Sequence, residues 1–182
     1  NLNLAQAYYI REKGYGMVST IGINHVEKYE GLEAIKIDWM PTCCASFRRN
    51  ILSKYRFDEE FYTDYSLGED LDFSFRISRN YNIIVNPKAR LYHFSSPSGR
   101  NYKKIGFMST YNRFYFFRKN MKPNFFTKIN FLIYITLFPI QTLLFIFKTP
   151  KTKTKTLLGQ VQGLLKIYVE FLPFLIKTKT RI

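Results

Sequence analysis

Glu69, Asp70 and Asp72 fall within four residues, directly behind Gly68, in the stretch SLGEDLDFSFRISRNYNI (Ser66–Ile83). Carboxylates take up protons or hold cations, and in this chain they are scarce. Thirteen Asp and Glu stand against 28 Lys and Arg, a formal net charge of +15. Acids in the first turn of a helix are stabilised by unpaired backbone N–H groups and the positive end of the helix dipole, by roughly 0.3–1 kcal/mol each. That account suffices for an isolated pair. Here the setting carries more: a Gly in front, a basic helix behind, then two strand-like runs, and His93 closing the second before the turn-rich SSPSGR.

The elements that must position these acids are legible in outline. LEAIKIDWM (Leu32–Met40) alternates apolar and polar residues from Leu32 to Ile37, as a strand does. PTCCASFRRNILSKY then turns helical, with Phe47, Ile51 and Tyr55 on one face and Arg48, Arg49 and Lys54 on others. A helix is expected from Gly68–Glu69, with Leu71, Phe75 and Ile77 inward. Asp72, Arg76 and Arg79 lie elsewhere on it, Asp72 facing Arg76 at i+4. NIIVNP reads as a short buried strand stopped by Pro87, and ARLYHF as a second strand. AQAYYIREKGYG reads as a helix end stopped by Gly14 and Gly16. Residues 1–100 thus alternate strand and helix, an α/β pattern, and the remainder is helical. The length of 182 residues suits one domain plus an appendage. Cys43 and Cys44 are adjacent and do not suit a mutual disulfide. With two distant histidines they make no zinc pattern, and a reducing compartment follows.

Residues 37–100 resemble the C-terminal half of the catalytic domain of family 2 glycosyltransferases, the inverting enzymes of GT-A fold. The resemblance rests on an ordered set: Trp39, Arg48 and Arg49 at a helix start, Phe57-Asp58-Glu59, the acidic pair Glu69-Asp70, Arg76, Pro87 and Ala89, and His93. It implies a partial GT-A (nucleotide-diphospho-sugar transferase) fold over 1–100. It also implies a sugar transfer from a nucleotide-sugar donor to a glycan or lipid-linked acceptor. Such a reaction needs one base to take the acceptor's proton. Asp70 carries over as that base, Glu69 as its assistant, His93 as a ligand to a divalent ion, and Trp39, Thr42, Cys43 and Arg48 as acceptor contacts. Thr42-Cys43-Cys44 stands where many members have Gly-Gly; the cysteines are expected to be small buried hydrophobes rather than nucleophiles. The family's Mg²⁺ or Mn²⁺ is held mainly by an Asp-x-Asp motif that follows a nucleotide-binding βαβ sheet. No such motif stands at the corresponding place, and residues 1–36 are too few for that sheet. The chain is therefore expected to be a fragment holding the acceptor side of the site.

Residues 101–182 are expected to form a basic, membrane-associating tail. Tyr102–Asn120 reads as a helix with an aromatic face, on which Arg113 and Arg118 are expected to be solvated or lipid-facing. NFLIYITLFPIQTLLFIF (130–147) holds 18 residues without a charge, about 27 Å of helix against a hydrocarbon core of ~30 Å. In the following segment Gly159, Gln162, Gly163, Lys166 and Glu170 share one face, while Val161, Leu164, Leu165 and Leu172 cover the other. Basic groups at 118–128, 148–155 and 177–181 flank these segments in near-equal numbers, so neither segment has a preferred inside. Two helices lying in the interface, their basic groups on anionic headgroups, fit this pattern; a re-entrant hairpin is the next choice. The partner is then the anionic surface on the cytoplasmic face of a membrane, engaged in a peripheral, monotopic or re-entrant way. Two core helices packed on a partner domain are the alternative. No nucleic acid partner is expected, because no RNP-like or helix-turn-helix pattern is present. A second class of function remains beside the enzyme: a non-catalytic, basic amphipathic module that docks on membrane.

Overall fold

The computed structural model of the protein describes residues 14–24, 31–63, 65–92, 94 and 99–176. The chain divides into two compact units, one ending at Gly99 and one beginning at Arg100.

In the first unit, strand β1 (Ile35–Ile37) pairs antiparallel with β2 (Ile83–Val85), Ile35 opposite Val85 and Ile37 opposite Ile83. Helix α1 (Arg49–Lys54) and helix α2 (Glu69–Ser78) complete it, with a 3-10 turn at Thr42–Cys44. Ile37, Ile51, Phe73, Ile77 and Ile83 form the core, and Phe47 and Tyr55 pack against it, as the helical spacing around α1 requires. Phe73 is fully buried, with Phe57 stacked on its ring at 4.0 Å.

β1 ends at Ile37 as the alternation over Leu32–Ile37 implies, but begins three residues later, at Ile35. Beyond Ile37 the backbone donors turn away from any ladder: Asp38 and Trp39 donate to the carbonyl of Gly16, and Met40 donates to the Ser74 hydroxyl. Gly16, at φ +68°, lies so close to Ile37 that a Cβ there would collide with it. The second expected strand is absent. Leu91, Tyr92 and Phe94 are exposed, and no third strand pairs with β2 among the described residues. The expected helix end before Gly14, and His93, lie outside the described residues. The unit is α/β in its elements, but two three-residue strands are not the sheet of a GT-A domain.

The second unit is helical throughout: α3 (Tyr102–Asn120), α4 (Phe125–Leu144), a 3-10 turn at Ile146–Lys148, and α5 (Pro150–Ile176). Asn101 and Asn124 cap α3 and α4, their side-chain oxygens accepting from the N–H groups of Lys104 and Thr127. Pro150 opens α5, where a missing N–H costs nothing. Helices α3 and α5 cross at backbone contact through glycines. A Cβ on Gly106 would strike the carbonyl oxygen of Thr156, and one on Gly159 would strike that of Lys103. Gly159 and Gly163 thus form a small-xxx-small contact of the kind that lets helices approach closely in lipid. An aromatic core of Phe114, Phe117, Phe131 and Phe171 fills the remaining space; Phe117 stacks on Phe131 at 4.2 Å. Lys128 is buried and donates from Nζ to the carbonyls of Phe174 and Leu175. It supplies the positive charge that the last turn of α5 lacks.

This packing divides α5 only partly as its spacing implies. The face of Gly159, Gly163 and Glu170 is turned inward against α3, while Val161, Leu165, Val169 and Leu172 are exposed. Gln162 and Lys166, expected on the glycine face, are exposed instead, while the outward apolar residues are those an interfacial helix turns to lipid; Gly159 and Gly163 face α3 because glycine offers no side chain yet gains van der Waals contact from the neighbouring backbone. Arg118 is likewise not simply solvated: it pairs with Glu170 at 3.0 Å.

Candidate functional site

The loop into α2 sets the geometry of the acids. Ser66 and Gly68 both have positive φ, at 47° and 96°, and Gly68 is the N-cap residue. Such a backbone turns sharply at low cost only where a Gly stands. Glu69 N–H then donates to the Ser66 carbonyl at 3.0 Å, and the two acids arrive in the first turn of the helix.

The Asp70 carboxylate accepts the N–H of Leu71 at 2.7 Å. Its backbone carbonyl accepts the Ser74 hydroxyl at 2.6 Å, and the same Ser74 Oγ accepts the N–H of Met40 at 3.1 Å. One hydroxyl therefore ties the first turn of α2 to the segment carrying Trp39. Burial raises the pKa of both acids above the ordinary carboxylate range; for Glu69 the charge of Asp70 adds to it. Backbone N–H groups of the first turn oppose the rise without cancelling it.

Asp72 behaves differently. It is fully buried, not merely turned aside as its sequence position suggested, and it pairs with Arg76 Nε at 3.0 Å. Arg76 in turn donates to the Arg56 carbonyl at 2.6 Å, so the pair closes the helix onto the loop before it. Asp38 is also paired, with Arg79. Glu69 and Asp70 have no ion-pair partner among the described residues, in a chain with more than twice as many cations as acids.

The other expected residues are distributed unevenly. Trp39 is buried, next in sequence to the Met40 that Ser74 holds. Thr42 is half-buried in the 3-10 turn, whereas Cys43 and Cys44 are exposed free thiols, not small buried hydrophobes. The turn is too tight and too near the surface to enclose them. Arg48 is exposed and begins α1, its carbonyl accepting from Ile51 and Leu52. Among the described residues, no group of three His, Cys, Asp or Glu side chains could hold a metal ion. Ser74 is the participant that sequence reasoning missed. Its only signal was a serine four residues beyond Asp70, the spacing at which a hydroxyl reaches back to a helix carbonyl.

The unit boundary exposes one further property of charge. Residues 1–99 carry 12 Lys and Arg and 12 Asp and Glu, while residues 100–182 carry 16 Lys and Arg and a single acid, Glu170. The whole excess of positive charge belongs to the helical unit. There α4 with the turn after it, Phe125–Lys148, is long and apolar enough to associate with a membrane, and little of it is buried.

No family model matches the chain, and neither a curated protein nor a solved structure is significantly similar to it.

Proposed function

We propose that the chain is the acceptor-side part of a membrane-associated inverting glycosyltransferase with a partial GT-A fold. The observation that carries this reading is the pair Glu69 and Asp70: half-buried, without ion-pair partners among the described residues, and held in the first turn of α2 by a strained loop. In the proposed reaction the acceptor hydroxyl gives its proton to the Asp70 carboxylate as its oxygen attacks the anomeric carbon of the sugar. The bond from that carbon to the nucleotide diphosphate breaks, and the configuration inverts. A carboxyl whose pKa is raised is a stronger base than an exposed one, closer to the operating pH. Glu69 positions the acceptor. In such enzymes Mg²⁺ or Mn²⁺ meets the charge of the leaving diphosphate; the described residues offer no donor set for it.

The helical unit would hold this site at the cytoplasmic face of a membrane, where a lipid-linked or glycan acceptor is met. A second reading, a non-catalytic basic module that docks on membrane, is favoured by the outward apolar residues of α4 and α5 and by the concentration of charge in their unit. Asp70→Asn decides between them in the full-length protein supplied with nucleotide-sugar and acceptor. The enzyme reading expects transfer to fall by about 10²–10⁴-fold with vesicle binding unchanged. Retained turnover removes Asp70 as the base. A coding sequence upstream that lacks a βαβ segment with Asp-x-Asp favours the binding module.

A further inference from the structure

Where α4 ends and α5 begins, Gln141, Thr142, Phe145, Lys148 and Lys153 line an open cavity of about 330 Å³. That lies at the small end of ligand pockets, the size of a headgroup rather than of a nucleotide-sugar. The lining brings two lysines, a glutamine and a threonine together from two helices and the turn between them, and it contains no acidic residue. The Lys148 ammonium sits 5.0 Å over the ring of Phe145, which gives it an aromatic floor. The first turn of α5 carries no acid. Nor can another side chain of this unit neutralise the lysines, because Glu170, its only acid, is engaged by Tyr111 and Arg118. Beside the cavity, Leu137, Ile140, Leu143, Leu144 and Phe147 stand exposed along α4 and the turn after it, with Phe147 at 90%.

We propose that this cavity seats the terminal phosphate of an anionic membrane lipid, whose acyl chains run along the exposed apolar side of α4. The proposal rests on the membrane reading of the helical unit and goes beyond it by naming a site. A general basic surface attracts any anionic lipid according to charge alone. A site with four donor groups prefers a phosphate monoester, which presents three free oxygens, over a diester, which presents two. Free phosphate shares the headgroup's chemistry but would make no use of the apolar strip beside the cavity.

Vesicle sedimentation of the full chain tests this, with phosphatidylcholine vesicles containing either phosphatidic acid or phosphatidylglycerol at equal surface charge. The wild-type protein is expected to prefer phosphatidic acid by about 5-fold, the worth of one well-placed lysine contact. Lys148→Gln with Lys153→Gln abolishes that preference, and Thr142→Val narrows it without changing charge. Lys151→Gln with Lys155→Gln removes the same charge outside the cavity; it weakens binding to both vesicles alike and keeps the preference. Equal binding to both vesicles by the wild type, or a preference that survives the cavity variant, overturns the lipid site while leaving membrane association intact. Failure to bind any vesicle overturns both. Release from phosphatidic acid vesicles by glycerol 3-phosphate at stoichiometric excess assigns the cavity to a soluble phosphate instead, and overturns the lipid as its occupant.

Discussion

In the unit that ends at Gly99, Ile37, Phe73 and Ile83 fill the interior, Arg48 and Arg49 lie outside, and cations balance acids one for one. In the unit that begins at Arg100, glycines and a paired acid lie between α3 and α5, leucines and valines lie outside, and nearly every charge is positive. The first arrangement is what water selects: apolar area leaves the solvent and charge stays in it. The second buries a phenylalanine core as well, but leaves far more apolar surface outside. Its helices meet through close backbone packing and hydrogen bonds, the forces that remain when the surroundings are as apolar as leucine. The difference teaches that the two units solve their packing in two ways, and that the excess of charge falls on the unit carrying the one long apolar helix, as the proposed membrane association requires.

The comparison breaks most completely if the outward face of α5 meets water. Leu165→Ser, Val169→Ser and Leu172→Ser combined alter three exposed side chains, Val169 being 78% exposed. At a lipid surface the triple change lowers vesicle partition by at least about 100-fold, since burying each such side chain is worth roughly 1.5–3 kcal/mol. Partition unchanged in sedimentation assays would mean that the face serves a protein partner. Next in size is Asp72→Asn, which strands Arg76 against the Arg56 carbonyl. Breaking a buried ion pair costs about 3–5 kcal/mol, and the partly exposed Arg76 puts this case at the lower end. Denaturant unfolding of the first unit reads it directly. Smaller again is Gly159→Ala, for which overpacking predicts a loss of about 1–3 kcal/mol, measured by thermal unfolding in detergent. Gly163→Ala should cost less, because its Cβ would stand 3.0 Å from the nearest atom, the Phe107 carbonyl oxygen, and need not displace the helix far.

The sequence made some of this legible and hid the rest for physical reasons. The start of α2 at Glu69 and the span of α3 were readable, because Gly68 and Asn101 are local signals acting on the backbone beside them. The facing set of Phe47, Ile51 and Tyr55 was readable from spacing alone. The burial of Asp72 was not, since what seals it is Arg76 held by the carbonyl of Arg56, twenty residues before Arg76 in a loop. Strand ARLYHF failed because a strand needs a neighbour, and alternation cannot show whether one is there. The polar face of α5 was legible only in part: spacing grouped Gly159, Gly163 and Glu170, but nothing local showed that Gln162 and Lys166 lie outside the contact with α3. The charge asymmetry was countable from the start, yet it had no meaning until the boundary at Gly99 and Arg100 divided the count.

The smallest expected effect discriminates most finely, because it sets two acids of one helix against each other. Asp70 is raised in pKa by burial in the folded chain. Over the interval above its ordinary value of 3.8, the folded state then binds more protons than the unfolded state, so this group's contribution to stability falls as pH rises. Glu69 acts in the same direction above 4.5. Ionising either acid therefore costs the fold stability, and Asp70→Asn removes that cost at its position while its side-chain oxygen can still accept the Leu71 N–H. The variant should therefore be slightly more stable than the wild type, by under about 1 kcal/mol, with the gain vanishing as pH falls below 3.8. Asp72→Asn, two residues along, should lose stability across the same range. Thermal unfolding of the two variants between acid and neutral pH measures both signs. If Asp70→Asn is destabilised like Asp72→Asn, then Asp70 belongs to the architecture of α2 and is not a carboxylate held at the fold's expense for proton transfer.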